Sequence, residues 1–369
     1  MASDFDGIAV AYALAILDDD SLSHPRLEFV CTVCEEVGME GATGIDVSML
    51  KGKKLLNMDS EEEGVMLASC AGGCRADVKL PVERETVSGT KLTVSLSGLT
   101  GGHSGSEIDK GRGNANTLMS RLLRDASAPV AIASIDGGRK DNAIPRECTA
   151  QIIVAPDEAA AVKASIEQAA AEIAEEFKAS DPDFKLTVSE ETDCSESAIS
   201  AKDSARVIAL IEALPNGIIR MSREIDKLVE TSLNLGVLKS DAAAVTLRYA
   251  VRSSVGVAKK SLKNQLVCIA GAFAAEVTFE GDYPAWEYKK DSKLREDMVR
   301  IFEEMYGKKP TVEAIHAGVE CGLLSGKIEG LDCISMGPDM YDIHTTEERL
   351  SISSAKRSYE YILRVIACK

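Results

Sequence analysis

With 369 residues the chain is long for a single core and predicts two or three domains. At 45% hydrophobic and 27% charged residues it reads as an ordinary globular protein, and only 4% aromatics leaves its core to Val, Ile, Leu and Ala. A formal net charge of −17 speaks against a nucleic-acid backbone or an anionic membrane as partner, and no apolar run reaches the ~18 residues of a membrane span.

The acidic N-terminus is unlike a secretion signal, so the expected compartment is the cytoplasm. Residues 7–17 form an Ala-rich apolar helix, expected to be buried nearly all round and to need covering elements. The stretch Arg26–Gly41 is the one the rest is organised around. It opens as a buried strand rich in Val and Phe, between His24-Pro25 and Gly38, and ends in the adjacent pair Glu35-Glu36. Neighbouring residues in extended backbone face opposite sides, so the two carboxylates are expected to do different jobs. The carboxyl end of a buried strand is also where open α/β sheets place their chemistry. After a short helix near Asp46–Leu50, Leu55–Asp59 repeats the form of a strand ending in an acid, and strands follow at Val65–Cys70 and Ala76–Val82 about a Gly72-Gly73 turn.

From Lys91 the texture changes. Leu92–Leu99 alternates as a half-exposed strand and runs into the loop Gly101-Gly102-His103-Ser104-Gly105, with a helix through Asn114–Leu123. Strands at Val130–Asp136 and Cys148–Pro156, an amphipathic helix over 157–178 and a strand at Lys185–Glu190 complete one α+β layer. A second layer of similar grammar follows: helix 201–214, strands near Val229–Leu238 and Ala244–Arg252, helix Ala258–Ala274 and strand Glu276–Glu280. Pro284-Ala285-Trp286 marks a boundary. Helix 292–306, the segment Ala314–Gly322, strand Leu331–Met336, the loop Gly337–Thr346 and a closing helix from Ser353 resemble the beginning of the chain. The expected class is therefore α/β: a mixed-sheet domain from residues 1–86 and 283–369, with an α+β domain of two similar halves inserted at 87–282.

Four histidines keep the list of chemical candidates short. His24 beside Pro25 reads as a surface residue, and His316 as structural or supporting at least as readily as metal-ligating. His344, in a loop after a buried strand, is the candidate metal ligand, whereas nothing local assigns a role to His103. Glu36, Asp59 and His344 make a mixed oxygen and nitrogen set of the kind zinc accepts in catalytic sites, and Glu35 beside Glu36 can act as a general base. Cys31-x-x-Cys34 and Cys70-x-x-x-Cys74 invite a zinc-ribbon reading, but the first pair falls inside an apolar run. Buried reduced thiols are the favoured expectation.

Six motifs now point one way: Cys34-Glu35-Glu36-Val37-Gly38-Met39-Glu40-Gly41-Ala42, Leu56-Asn57-Met58-Asp59-Ser60-Glu61-Glu62, Gly101–Gly105, Gly111-Arg112-Gly113-Asn114-Ala115-Asn116, Ile315-His316-Ala317-Gly318 and the Gly337–Thr346 loop. In order and over nearly the whole chain, they resemble those of the aminoacyl-histidine dipeptidases, cytosolic di-zinc metallopeptidases related to carnosinases. The resemblance implies a zinc-peptidase catalytic domain with an inserted lid that forms a homodimer, and dipeptides as substrates. It implies Glu35 as general base, Glu36 and His344 as ligands of one zinc, and Asp59 as ligand of the other. On the lid it implies His103 as oxyanion donor, serving the neighbouring subunit's site, and Asn142 or Asn234 with Arg252 as holders of the substrate backbone and carboxylate. The departure is at the front. Family members carry a further segment with a zinc-binding His-x-Asp strand and an Ala-Asp-Asp/Asn-Gly turn whose first Asp bridges both metals, whereas here Phe5 falls on that Asp, between Asp4 and Asp6. The chain is accordingly expected to be N-terminally incomplete, to hold one zinc or fewer and to be a poor peptidase. The rival expectation is a non-catalytic remnant that keeps the lid and its dimer surface.

Overall fold

A computed structural model describes residues 7–35, 38–343 and 345–368. The first part of the chain carries helices α1 (Gly7–Leu17) and α2 (Glu40–Gly44) and strands β1 (Lys54–Asn57) and β2 (Val65–Cys70). Strands β3 (Gly72–Pro81), β4 (Arg84–Ser97) and the two-residue β5 (Gly102–His103) lead into helix α3 (Ala115–Arg124). Next come β6 (Ala131–Gly137), the two-residue β7 (Ala143–Ile144), β8 (Cys148–Val154), α4 (Ala159–Phe177), β9 (Lys185–Ile199) and α5 (Ala201–Ala213). Strands β10 (Gly217–Met221), β11 (Val229–Ser240) and β12 (Ala244–Ser253), helix α6 (Gly256–Ala272) and β13 (Glu276–Tyr283) follow. The last part holds α7 (Lys293–Tyr306), β14 (Thr311–Ile315), α8 (Glu320–Lys327), β15 (Asp332–Ser335) and α9 (Ile352–Ile366).

The chain divides into two units. The first comprises the segments up to Gly72, Arg223–Leu228 and Tyr283 onward. Its sheet is mixed, in the order β1-β15-β2-β14, with β1 parallel to β15 from Lys54↔Asp332 to Asn57↔Ser335 and β15 antiparallel to β2. Asp332 ties this sheet to α7: its carboxylate accepts the Ser292 hydroxyl at 2.6 Å and the Leu294 amide at 3.1 Å. Ser292 in turn caps α7 through the Arg295 amide, and left-handed Gly307 ends that helix. Met66, Ile334, Met298, Phe302 and Tyr361 form the core with Tyr12 and Ile16 of α1.

One expectation holds here and one fails. Only one face of α1 packs, leaving Leu14 and Leu17 each 62% exposed, so the apolar helix does call for further covering. An unbroken apolar run therefore signals capacity for burial, not its completion. Residues 27–34, by contrast, form no strand among the described residues, and Phe29, Cys31, Val33 and Cys34 are exposed. The stretch is anchored through side-chain and end contacts: Glu28 accepts the Lys51 and Gly52 amides at 2.9 Å, and Val33 O accepts the Gly41 amide at 2.9 Å. Its β-type composition thus finds no ladder to join. The expected helix near Asp46–Leu50 is instead α2, earlier by several residues.

The second unit comprises Gly73–Ser222 and Val229–Asp282. One nine-stranded sheet runs through it, in the order β13-β3-β12-β11-β6-β8-β4-β9 with β10 on β11. The two similar halves are thus joined edge to edge, where Leu238 and Lys239 of β11 pair with Gly137 and Asp136 of β6. Strand β4 alternates as expected, with Leu92, Val94 and Leu96 buried in a core shared with α3, α4, α5 and α6. The first boundary is corrected from residue 86 to Gly72–Gly73, because β3 belongs between β13 and β12. Gly72 is required at that crossing: a Cβ there would lie 2.4 Å from the Ala285 nitrogen.

Candidate active site

In the first unit a cavity of about 670 Å³ is walled by the 25–32 segment, β1, α1, α8 and α9, and its lining includes Thr32, Glu35, Asp59 and Glu320. Glu35 is half-buried and follows Cys34, whose φ of 58° is left-handed. Met39 (φ 56°) is left-handed too, and the Glu35 carbonyl accepts the amides of Gly38 and Met39 at 3.1 and 2.9 Å. Two non-glycine residues in this region, on either side of the Glu35-Glu36 pair in sequence, store strain of the kind found at functional turns. Gly41 backs the turn, since a Cβ on it would sit 2.4 Å from the Val33 backbone.

Asp59 follows β1 and receives the Asn57 amide at 3.4 Å, while Asn57 also reaches the Ser335 hydroxyl at 3.3 Å. The loop after β15 is laced to the residues beyond Asp59. Ser60 N donates to Met336 O at 3.4 Å, Met340 N to Glu61 O at 2.9 Å and Glu63 N to the Asp339 carboxylate at 2.7 Å. Gly337 is a close-approach glycine here, because a Cβ would lie 1.6 Å from Ser60 O. The loop that leads to His344 therefore starts beside Asp59. Glu36 and His344 themselves lie outside the described residues, as do Asp4, Phe5 and Asp6.

No group of three or more His, Cys, Asp or Glu converges to hold a metal among the described residues. What they do supply is two carboxylates lining one cavity, Glu35 and Asp59, oxygen donors of the type a divalent cation takes. The buried-thiol expectation is corrected for Cys31 and Cys34, which are exposed, and holds for Cys70 and Cys74. Burial pushes both of the latter thiols up to about 11, away from the thiolate a ribbon needs.

In the second unit His103 pairs with Ala143 across the small β5–β7 ladder. Its Nδ1 accepts the Ser106 amide at 3.1 Å and the Gly105 amide at 3.3 Å. An Nδ1 that accepts leaves the proton of a neutral imidazole on Nε2. Burial, then the Arg252 charge, hold the His103 pKa below its ordinary value and favour that neutral donor. Glu107 clamps the turn, accepting the His103 amide at 2.8 Å and Arg112 at 2.9 Å. Exposed Asn142 sits beside His103, its carbonyl accepting the Ser104 amide at 2.8 Å.

Asn234 is placed differently from its expected substrate role. Fully buried, its amide donates to Asp141 O at 3.0 Å and Ala143 O at 2.8 Å and accepts from Asn114 at 3.1 Å. It fastens the turn that carries Asn142. His24 is exposed, as expected, and His316 is buried. Glu107 and Glu320 were not singled out from the sequence. The first carried a signal, an acid four residues after His103, and the second another, an acid opening a short helix after Gly318.

Residues 94–181 match the family model described as the peptidase dimerisation domain. The chain is 35% identical to the cytosol non-specific dipeptidase of Escherichia coli (strain K12), over 95% of this chain and 73% of that protein. It superposes on the aminoacylhistidine dipeptidase of Vibrio alginolyticus with a TM-score of 0.91 at 32% identity, covering 98% of this chain and 74% of that one. An enzyme of the mixed α/β peptidase fold with an inserted dimerisation domain, this chain belongs to the family of the cytosol non-specific and aminoacylhistidine dipeptidases.

Proposed function

We propose that the chain hydrolyses dipeptides, aminoacyl-histidine dipeptides among them, as a cytoplasmic homodimer joined through its second unit. The observation that carries this reading is that Glu35 and Asp59 both line one cavity of about 670 Å³, a volume suited to a small peptide. Glu36, Asp59 and His344 would hold the metal, zinc in the first instance. A divalent cation at such a site acidifies the attacking water and polarises the scissile carbonyl. Glu35 takes the proton of that water and returns it to the leaving amine. His103 would serve the neighbouring subunit's site, donating from Nε2 to the oxygen on which negative charge develops, a role its neutral tautomer supports. Arg252 and Asn142 would bind the peptide's carboxylate and backbone.

The test is hydrolysis of alanyl-histidine by the purified chain, stripped with chelator and then titrated with zinc, manganese or cobalt. Rate restored in step with bound metal is the expected result. No hydrolysis with any of the three, and no bound metal, would support a non-catalytic remnant instead.

A further inference from the structure

Glu320, the first residue of α8, is a buried carboxylate on the wall of the same cavity, and the proposed steps above leave it unused. It is 9% exposed. Its Oε2 accepts the Thr32 hydroxyl at 2.7 Å. Its Oε1 is shut off from solvent and has no hydrogen-bond partner among the described residues. Burying an acceptor oxygen without a donor is unfavourable, and the N-terminal end of α8 offsets only part of a full charge. The cations that line the cavity are engaged elsewhere: Arg26 with Glu28 at 2.8 Å, Lys53 with the Glu329 carbonyl at 2.8 Å, and Lys54 near Asp297 at 3.9 Å. A further metal position is not indicated, since no set of three donors converges among the described residues. What fits is a cation that brings its own N–H donors.

We propose that Glu320 is the acidic half of an ammonium subsite, taking the free α-amino group of a dipeptide bound beside Glu35 and Asp59. This rests on the dipeptidase reading, in which the substrate's amino nitrogen lies two bonds from the scissile carbonyl carbon. The terminal torsion of a glutamate is soft, so the carboxylate can turn to present an oxygen to the cavity, and the rotatable Thr32 hydroxyl can follow it. Thr32 also ties the subsite to the Glu35 segment, because it stands three residues before Glu35 and both line the cavity. A charge-assisted bond there selects for peptides with a free amine.

The probes are alanyl-histidine and propanoyl-histidine, which lacks only the amine. Each is titrated calorimetrically into the intact chain and into Glu320→Gln, with hydrolysis followed in parallel. Glutamine keeps the shape and an acceptor for Thr32 but removes the charge. The wild type is expected to bind alanyl-histidine about ten- to a hundredfold more tightly than propanoyl-histidine. In E320Q that preference disappears through weaker alanyl-histidine binding and a raised KM, while propanoyl-histidine binding is unchanged. A wild type without preference for the amine overturns the proposal, whatever the variant does. So does E320Q weakening both ligands equally, which marks a residue that merely holds Thr32. Amine-selective binding lost in E320Q, with no hydrolysis under any metal, sinks the dipeptidase reading and leaves the subsite standing. Hydrolysis with amine selectivity intact in E320Q does the reverse.

Discussion

At the scale of single side chains, His103 depends on staying neutral. Its Nδ1 accepts two amides, an arrangement lost on protonation, when both ring nitrogens become donors. Because the folded chain holds its pKa below the ordinary 6.5, the unfolded chain takes up the proton first as pH falls. Stability is therefore lost as pH drops from about 6.5 through the lower folded value. Denaturant midpoints measured from pH 7 to 5 should fall more steeply for the wild type than for His103→Asn. At neutral pH His103→Ala should lower kcat by roughly 10²–10³ with little change in metal content. A steady-state assay showing wild-type kcat contradicts the donor role.

Asn234→Ala belongs to the same scale and separates structure from binding. Losing the buried amide strands Asp141 O, Ala143 O and the Asn114 donor, at a cost of roughly 2–3 kcal/mol in urea unfolding. An unchanged midpoint with a raised KM would restore it to a direct substrate role. From sequence alone Asn234 and Asn142 looked equivalent. Only the closing of β5 on β7 shows that one amide is spent on the other's turn. Glu35 and Asp59 were singled out on a simpler signal, an acid at the end of an apolar run.

At the scale of elements, the loop after β15 is the piece that must be held. Gly337→Ala would drive a Cβ into Ser60 O and should cost roughly 3 kcal/mol or more, read by thermal unfolding. A midpoint equal to wild type would mean that the approach of the two loops is not as described. The same loop is braced by Arg357, whose guanidinium binds Glu63 at 2.7 and 2.5 Å while the Glu63 amide holds Asp339. Arg357 keeps the Glu63 carboxyl below its ordinary pKa, so this contribution is present above about 4.5 and lost as pH falls through the folded value. Arg357→Met should flatten the acid limb of the stability profile and weaken metal binding about tenfold. An unaltered acid limb contradicts this bracing. Elements were legible where local chemistry decides them, as with helix 292–306 or the alternation of β4. The 27–34 stretch was misread because β-type composition does not specify a pairing partner.

At the scale of the whole molecule, the order of core, insert and core was legible from the change of texture near Lys91 and the break at Pro284. The single nine-stranded sheet was not, since its joining pairs, Leu238↔Gly137 and Lys239↔Asp136, lie a hundred residues apart in no recognisable pattern. Residues 94–181 match a dimerisation domain, so sedimentation should give the mass of two 39.4 kDa chains. A monomer at assay concentration with full activity would detach catalysis from dimerisation.

The most direct measurement compares wild type with Glu35→Gln, in one preparation each, for metal content and for the rate of alanyl-histidine hydrolysis. If Glu35 is the base and Glu36, Asp59 and His344 hold the metal, E35Q keeps its metal and loses hydrolysis by roughly 10²-fold or more. E35Q with wild-type metal and a wild-type rate would contradict the account.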